Sequence, residues 1–393
     1  MGFRRTEEWM HRRSFLKTSL AAGAFALGAP PLFGAAAAEA RVPLFGAAAA
    51  GARGPWRRFA PVKVFRDRLI RTVVGLRPYR RQGFVVRAER LGDKTVVHNY
   101  GHGGAGVTLS WGTSTMAADL ARETGHGVFA VLGCGVMGLT TARVLQRRGG
   151  QVTIYAKTQP PETTSNIAGA FWLPTSSYRP REVDAAFLER FGLACRLSNR
   201  AFQDLIGEEY GVRWVESFRL DRQPPQVAEL IGGARLYPET RDLSGAPADF
   251  GFPHVTRFYS MMIEPAVYLA ALLRDFYTAG GCVVAREFRG REELAALAEP
   301  VVMNCTGLGA GALFGDAGIE PMRGQLEVLL PQPELDYCYL ADDSYMFPRR
   351  DGVILGGTFE RGKWSLAPEA ETTAKTLLAN ARIARGLRRR PTF

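Results

Sequence analysis

Phe129-Ala130-Val131-Leu132-Gly133-Cys134-Gly135-Val136-Met137-Gly138 sets three glycines directly behind a short apolar run. Residues 127–132 read as a strand, 139–148 carry helical spacing, and 151–156 read as a second strand. Glycines at 133, 135 and 138 permit a tight turn and a close backbone approach to a pyrophosphate, whose charge meets the amino terminus of the helix. This β-α-β opening predicts an α/β protein with a Rossmann-like dinucleotide-binding domain, and Gly133, Gly135, Val136, Met137 and Gly138 as cofactor contacts. One position departs from the pattern. The second strand should end in an acidic residue that holds the adenosine ribose, and Ala156-Lys157 stands there instead. A cation at that place admits a rival reading, an NADP enzyme whose lysine attracts a 2′-phosphate.

Two neighbouring stretches argue for a flavin. Downstream lies Thr163-Thr164-Ser165-Asn166-Ile167-Ala168-Gly169-Ala170-Phe171-Trp172; upstream lies His98-Asn99-Tyr100-Gly101-His102-Gly103-Gly104-Ala105-Gly106-Val107-Thr108-Leu109-Ser110-Trp111-Gly112. Glycines in the upstream run let main-chain amides approach a planar ring, and the helix that follows points its positive end at negative charge. The downstream stretch resembles the segment of the D-amino acid oxidase family that wraps the flavin diphosphate and ribityl chain. The upstream run resembles that family's carboxy-terminal signature. The resemblance implies FAD as cofactor, with Thr163, Thr164, Ser165, Gly169, Ala170 and Phe171 against the diphosphate and ribityl chain. It also implies that Gly103, Gly106, Val107 and Thr108 line the isoalloxazine, and that Gly104 accepts from the substrate amine.

Further motifs carry the same resemblance. Gly75-Leu76-Arg77-Pro78 is similar to a family motif whose arginine grips the substrate carboxylate, a bidentate task suited to a planar guanidinium. Ser344-Tyr345-Met346-Phe347-Pro348, followed by Leu355-Gly356-Gly357-Thr358-Phe359 and Gly362-Lys363-Trp364, resembles the family segment whose tyrosine donates to the same carboxylate. A gating tyrosine found four residues before Tyr345 in some members is Ala341 here, and Tyr339 or Tyr337 is the alternative lid or else core. Glu264, Asn304-Cys305-Thr306-Gly307 and Arg323-Gly324-Gln325 match further landmarks, with Thr306 near the cofactor and Phe288 contributing backbone to the adenine pocket. Arg388 imitates the approach to Arg77 but lacks the proline, so Arg77 is preferred. His98 and His102 are joined by no carboxylate or cysteine pattern, so no metal is expected.

The implied reaction is oxidative deamination of a D-amino acid. The α-hydrogen leaves as a hydride to flavin N5, the imino acid is released and hydrolysed to 2-oxo acid and ammonia, and oxygen or another acceptor takes the electrons, oxygen giving hydrogen peroxide. No catalytic side-chain acid or base is expected; Arg77, Tyr345 and Gly104 orient the substrate. D-aspartate oxidase and glycine or sarcosine oxidase are neighbouring alternatives. The NADP dehydrogenase and a non-catalytic flavin-binding protein are alternatives of another class.

The order of the motifs is unusual, because a run resembling the family's carboxy-terminal signature precedes the fingerprint. Read from 127 to about 383 and then from 65 to 119, the segments follow the family order, which makes the chain a circular permutation. That requires residues 123–127 to join the old ends, and the new ends to be neighbours. The predicted division is a signal at 1–40, a low-complexity linker at 41–60 and the permuted segment at 61–126. The FAD-binding Rossmann core follows at 127–175 and continues at 266–322, and the substrate domain, with a mixed β-sheet, occupies 176–265 and 323–393.

Composition and targeting fit this reading. In 393 residues, 46% hydrophobic and 22% charged content allow a large core. The formal charge of +12 comes from Lys and Arg scattered through every segment, not from a basic stripe interleaved with aromatics, so nucleic acid is not an expected partner. Arg12-Arg13-Ser14-Phe15-Leu16-Lys17, an apolar run at 18–33 broken by Pro30-Pro31, and an alanine tract look like a cleaved twin-arginine export signal, which implies the twin-arginine machinery as partner and a periplasmic or secreted destination. Homodimerisation is left open. The cysteines at 134, 195, 282, 305 and 338 show no metal spacing and read as buried free thiols.

Along the chain, strands are expected at 83–88, 94–100, 282–285, 300–303, 325–330, 345–347 and 353–357, and helices at 108–122 and 292–298. A further helix is expected to start at Glu264-Pro265 and stop at Gly280-Gly281. Gly75-Leu76-Arg77-Pro78 is expected to halt the segment before it, and 175–256 shows little periodicity.

Overall fold

The computed structural model describes residues 59–223, 236–243, 251–341 and 344–386. The export signal, most of the linker and Arg388 lie outside the described residues. The elements are, in chain order, β1 (Leu69–Arg80), β2 (Val85–Leu91), β3 (Lys94–Tyr100), α1 (Gly106–Arg122), β4 (Val128–Leu132), α2 (Val136–Arg147), β5 (Gln151–Ala156) and α3 (Thr164–Ile167). Then come α4 (Ala185–Gln203), β6 (Val212–Asp221), β7 (Arg241–Asp242), β8 (His254–Ile263), α5 (Pro265–Thr278), β9 (Cys282–Ala285), α6 (Arg291–Ala295), β10 (Val301–Asn304) and α7 (Gly309–Phe314). The chain continues through β11 (Ile319–Leu329), β12 (Tyr337–Ala341), β13 (Ser344–Arg349), β14 (Gly352–Gly356), β15 (Glu360–Arg361) and α8 (Ala370–Gly386).

Two sheets form among the described residues. One has the order β2-β3-β10-β4-β5-β9, parallel from β3 to β9 with β2 antiparallel at its edge. The other runs β1-β11-β14-β13-β12-β6-β8-β7, with β15 also pairing β11, and it is mixed because β6 and β12 are parallel. The fold is thus a Rossmann-like sheet with helices, joined to a larger mixed sheet. No described helix is long and apolar enough to cross a membrane.

The segment before residue 127 is built into both sheets. β3 pairs with β10, which in turn pairs with β4, and β1 pairs along its length with β11. A buried polar seam ties β3 to α1 and α2: Asn99 Nδ2 donates to Ser114 Oγ at 3.2 Å and to Thr141 Oγ1 at 3.0 Å, and Ser114 Oγ also meets Thr140 Oγ1 at 3.0 Å. Such groups cost free energy when buried unless they find partners, so the seam holds only in this arrangement. α1 is followed by the turn at 123–127 and then by β4. Phe59 and Val62 share an apolar cluster with Ile383 and Ala384, bringing the two ends of the described chain together.

Two local expectations are corrected. β1 runs straight through Gly75-Leu76-Arg77-Pro78, where a stop was expected. It is an edge strand whose Pro78 faces Pro321 across the ladder, so a missing N–H at that position disrupts little pairing. The span 175–256 holds the 19-residue helix α4, capped by the Asp184 carboxylate, which accepts from the Phe187 amide at 2.7 Å. α4 buries Phe187, Phe191, Ala194, Cys195, Ser198 and Phe202 on one face, against α1. The crossing is close enough that a Cβ on Gly112 of α1 would lie 2.1 Å from the Ala194 carbonyl oxygen.

Four of the cysteines are buried and Cys282 is exposed. Burial pushes the thiols of Cys134, Cys195, Cys305 and Cys338 up to about 12.

Candidate active site

The fingerprint lies at the carboxyl end of β4. Gly133 has φ +100, and a Cβ there would lie 2.8 Å from the Cys305 carbonyl oxygen; at Gly138 it would lie 1.8 Å from the Gly133 carbonyl oxygen. Neither position admits a side chain. The first helical bond of α2 runs from the Leu139 amide to the Gly135 carbonyl at 3.0 Å, so the preceding amides of Met137 and Gly138 face outward from the helix end. Ser165 Oγ accepts from the Val136 amide at 3.0 Å, which anchors the 163–171 loop on the fingerprint and engages one of the amides expected to face the cofactor. Thr163 is buried and donates to Asn166 Oδ1 at 2.8 Å, while Thr164 opens α3. Thr306 donates through its hydroxyl to Asn304 Oδ1 at 2.7 Å, in the turn over which Gly133 packs. A bare, glycine-lined edge with unpaired helix amides is what a dinucleotide diphosphate requires, and the residues present fit it.

The residues expected to hold the substrate come together on the mixed sheet. Arg77 of β1 lies over Gly324 of β11, where a Cβ would stand 2.4 Å from both Nη1 and Nη2. Tyr345 of β13 lies over Gly356 of β14, where a Cβ would stand 2.4 Å from the phenol oxygen. Because β1, β11, β14 and β13 are consecutive neighbours, the two glycines form a flat floor on which two long side chains recline toward one another. They approach each other there closely enough for the Arg77 charge to act on the Tyr345 phenol. Burial raises the Tyr345 pKa and the Arg77 charge opposes that rise. Arg77 Nη1 also donates to the Thr358 carbonyl at 3.1 Å, and the guanidinium carbon sits 4.9 Å from the centre of the Phe359 ring.

The glycine run closes the third side. Gly104 is exposed, its amide donates to the Ser176 carbonyl at 3.0 Å, and a Cβ on it would lie 3.7 Å from Arg77 Cδ. Gly103 has φ +57, and a Cβ there would lie 2.4 Å from the Ser176 oxygen. Gly106 and Val107 open α1, with Thr108 buried behind them. On the opposite flank, Tyr345 stacks on Phe347 at 4.4 Å and Phe347 on Phe171 at 5.1 Å, while a Cβ on Gly169 would lie 3.2 Å from the Phe347 ring. Ala170, at φ +55, offers its carbonyl to the Ile263 amide at 2.9 Å, which fixes this turn to β8. Arg77, Tyr345, Gly104 and the 169–171 turn are therefore brought together from four separate parts of the chain.

The chain belongs to the FAD-dependent oxidoreductase (DAO) family, whose model matches residues 129–389. It is 32% identical over 257 residues to a D-amino-acid oxidase of Rubrobacter xylanophilus, covering 63% of this chain and 74% of that protein. It is also 32% identical over 271 residues to a D-amino-acid oxidase of Streptomyces coelicolor, covering 66% and 78%. A glycine oxidase structure from Geobacillus kaustophilus aligns with a TM-score of 0.49 at 18% identity, over 67% of this chain and 80% of that one. The protein is accordingly an FAD-dependent oxidoreductase. The NADP reading falls with that, and Lys157 is already paired, its Nζ 3.1 Å from Glu287 Oε1.

Other expected residues take different places. Tyr339 and Tyr337 are both fully buried, bonding Asn380 Oδ1 at 2.7 Å and the Ala60 carbonyl at 2.8 Å, so both are core and neither is a lid. Glu264 is buried and accepts from the Arg350 amide, with its pKa raised by burial. Phe288 packs edge-on to Tyr155 at 5.8 Å with Arg286 over its ring at 4.5 Å. Ser176 stands at the site without having been marked by any motif, while Gly324, Gly356 and Thr358 fall within motifs but had been given no role. Gly324 had a signal, since a lone glycine inside a strand marks a close approach.

Proposed function

We propose that this protein oxidises D-amino acids to imino acids, with Arg77 and Tyr345 holding the carboxylate and the Gly104 carbonyl receiving the amine. The observation that carries the reading is the meeting of the Arg77 guanidinium and the Tyr345 phenol over Gly324 and Gly356, beside the exposed Gly104. A carboxylate entering there finds guanidinium N–H groups on one side and a phenol on the other. Burial keeps that phenol protonated and able to donate. The Gly104 amide is already bonded to the Ser176 carbonyl, so in this reading its own carbonyl is the group that accepts from the amine. A neutral amine then needs no side-chain base, and the residues act by orientation. Bound FAD supplies the acceptor for the two electrons and the α-hydrogen, which pass on to oxygen as hydrogen peroxide or to another acceptor. Water completes the reaction by converting the imino acid to 2-oxo acid and ammonia.

The purified protein is expected to be yellow and to bleach anaerobically with D-alanine but not with L-alanine; bleaching by the L-enantiomer, or by glycine and sarcosine alone, overturns the reading. We also read the chain as circularly permuted and exported. The permutation is supported by the direct passage from α1 to β4, by the shared cluster of Phe59, Val62, Ile383 and Ala384, and by a family match that starts only at residue 129. Export rests on the sequence around Arg12 and Arg13, and replacing both with lysine should hold the full-length precursor in the cytoplasm.

A further inference from the structure

The carboxyl edge of the parallel sheet carries charges that the fingerprint does not explain. β5 and β9 are parallel and in register up to Ala156 opposite Ala285, so the chain leaves both strands at the same level. Lys157 follows the first, and Arg286-Glu287 the second. Arg286 is held back, its amide on the Ala156 carbonyl at 3.0 Å and its side chain toward Glu293 at 3.7 Å. Glu287 turns the other way and meets Lys157 Nζ at 3.1 Å, with both side chains exposed.

A dinucleotide laid along this edge has its diphosphate at the end of β4. Its adenosine ribose extends past the end of β5, one strand spacing of roughly 5 Å to the side. Ribose hydroxyls need an acceptor, and an ammonium has none. We infer that Glu287, delivered by β9, is the carboxylate that holds the adenosine ribose of FAD, replacing the acid missing at the end of β5. Lys157 restrains the Glu287 side chain and is neutralised by it, which removes the cation that would recruit a 2′-phosphate. An exposed ion pair of this kind is weak enough for the carboxylate to accept from two hydroxyls at little cost.

The test is FAD affinity, read by flavin fluorescence on the full chain stripped of flavin, with FAD and with an analogue lacking both adenosine ribose hydroxyls. The unaltered protein should bind the analogue about tenfold more weakly than FAD, the effect of losing a hydrogen bond to a charged acceptor at an open site. Glu287→Ala, which removes the acceptor, should bind FAD about tenfold more weakly and no longer distinguish the analogue. Lys157→Ala and Glu162→Gln, the latter removing the first exposed carboxylate after β5 in the chain, should discriminate as the unaltered protein does. The inference is overturned if Glu287→Ala binds FAD normally or still distinguishes the analogue, or if discrimination disappears in Lys157→Ala or Glu162→Gln.

Discussion

The two glycine-built surfaces of this molecule do the same physical job by opposite routes. At the carboxyl end of β4, Gly133, Gly135 and Gly138 lie within six residues and clear space for a ligand's phosphates beside a helix end. On the mixed sheet, Gly324 and Gly356 clear space for the protein's own side chains, Arg77 and Tyr345, which lie flat over them. The first surface is local in sequence and positions by backbone. The second gathers residues from both ends of the chain through strand register, and positions by side chain. The glycines of the first surface therefore fall in one spaced motif, while those of the second lie on separate strands, β11 and β14.

The sharpest break in this comparison is Gly138→Ala. Its Cβ would fall 1.8 Å from the Gly133 carbonyl oxygen, which is backbone and cannot yield without moving β4 or α2. A loss of about 3 kcal/mol of stability is expected from overpacking, together with loss of bound FAD. Thermal unfolding and the flavin-to-protein absorbance ratio check both. Arg77→Lys should leave FAD bound yet lower kcat/KM for D-alanine by about 10²–10³, because an ammonium cannot make the paired contact of a guanidinium. Gly324→Ala sharpens the contrast, since the atoms its methyl would meet first are those of the Arg77 guanidinium. It should reduce kcat/KM about tenfold, mostly through KM, with FAD affinity unchanged. A Gly324→Ala variant that loses flavin would show that the two surfaces are not independent.

The same contrast explains what the sequence disclosed. The Rossmann strands and helices were legible because each is local, periodic and bounded by glycine; β3 and β5 fall where the spacing puts them. Arg77 and Tyr345 were legible as motif residues, but their floor was not, since only the β1–β11 and β13–β14 registers reveal Gly324 and Gly356. β1 was misread because proline stops a helix but not an edge strand. α4 was missed although its signals were present: Asp184 as cap, then Phe187, Phe191, Ala194, Ser198 and Phe202 at spacings of three and four. Its two flanks, rich in proline and aromatics, hid the period. The partner of Lys157 could not be read at all, because Glu287 reaches it only through the pairing of β5 with β9, 130 residues apart.

The smallest effect is expected at the joint between the surfaces. His102 belongs to the glycine run yet bridges to Tyr79 at the end of β1, so it links the nucleotide sheet to the strand that carries Arg77. It is fully buried, stacks on Phe84 at 5.3 Å, and places Nε2 2.9 Å from Thr113 Oγ1; burial lowers its pKa to about 3. The folded state thus holds the ring neutral, whereas an unfolded chain protonates it near the ordinary histidine value of about 6.5. A depressed pKa of this kind contributes stability that is complete above about 6.5 and is lost as pH falls toward 3. His102→Gln keeps a polar partner for Thr113 and has nothing to titrate. Its melting temperature should lie below that of the unaltered protein at pH 7.5, with the gap narrowing by a few degrees toward pH 4.5. A gap that stays constant across that range would mean that the joint is held by packing against Phe84 alone and that the ring's neutrality contributes nothing to coupling the two sheets.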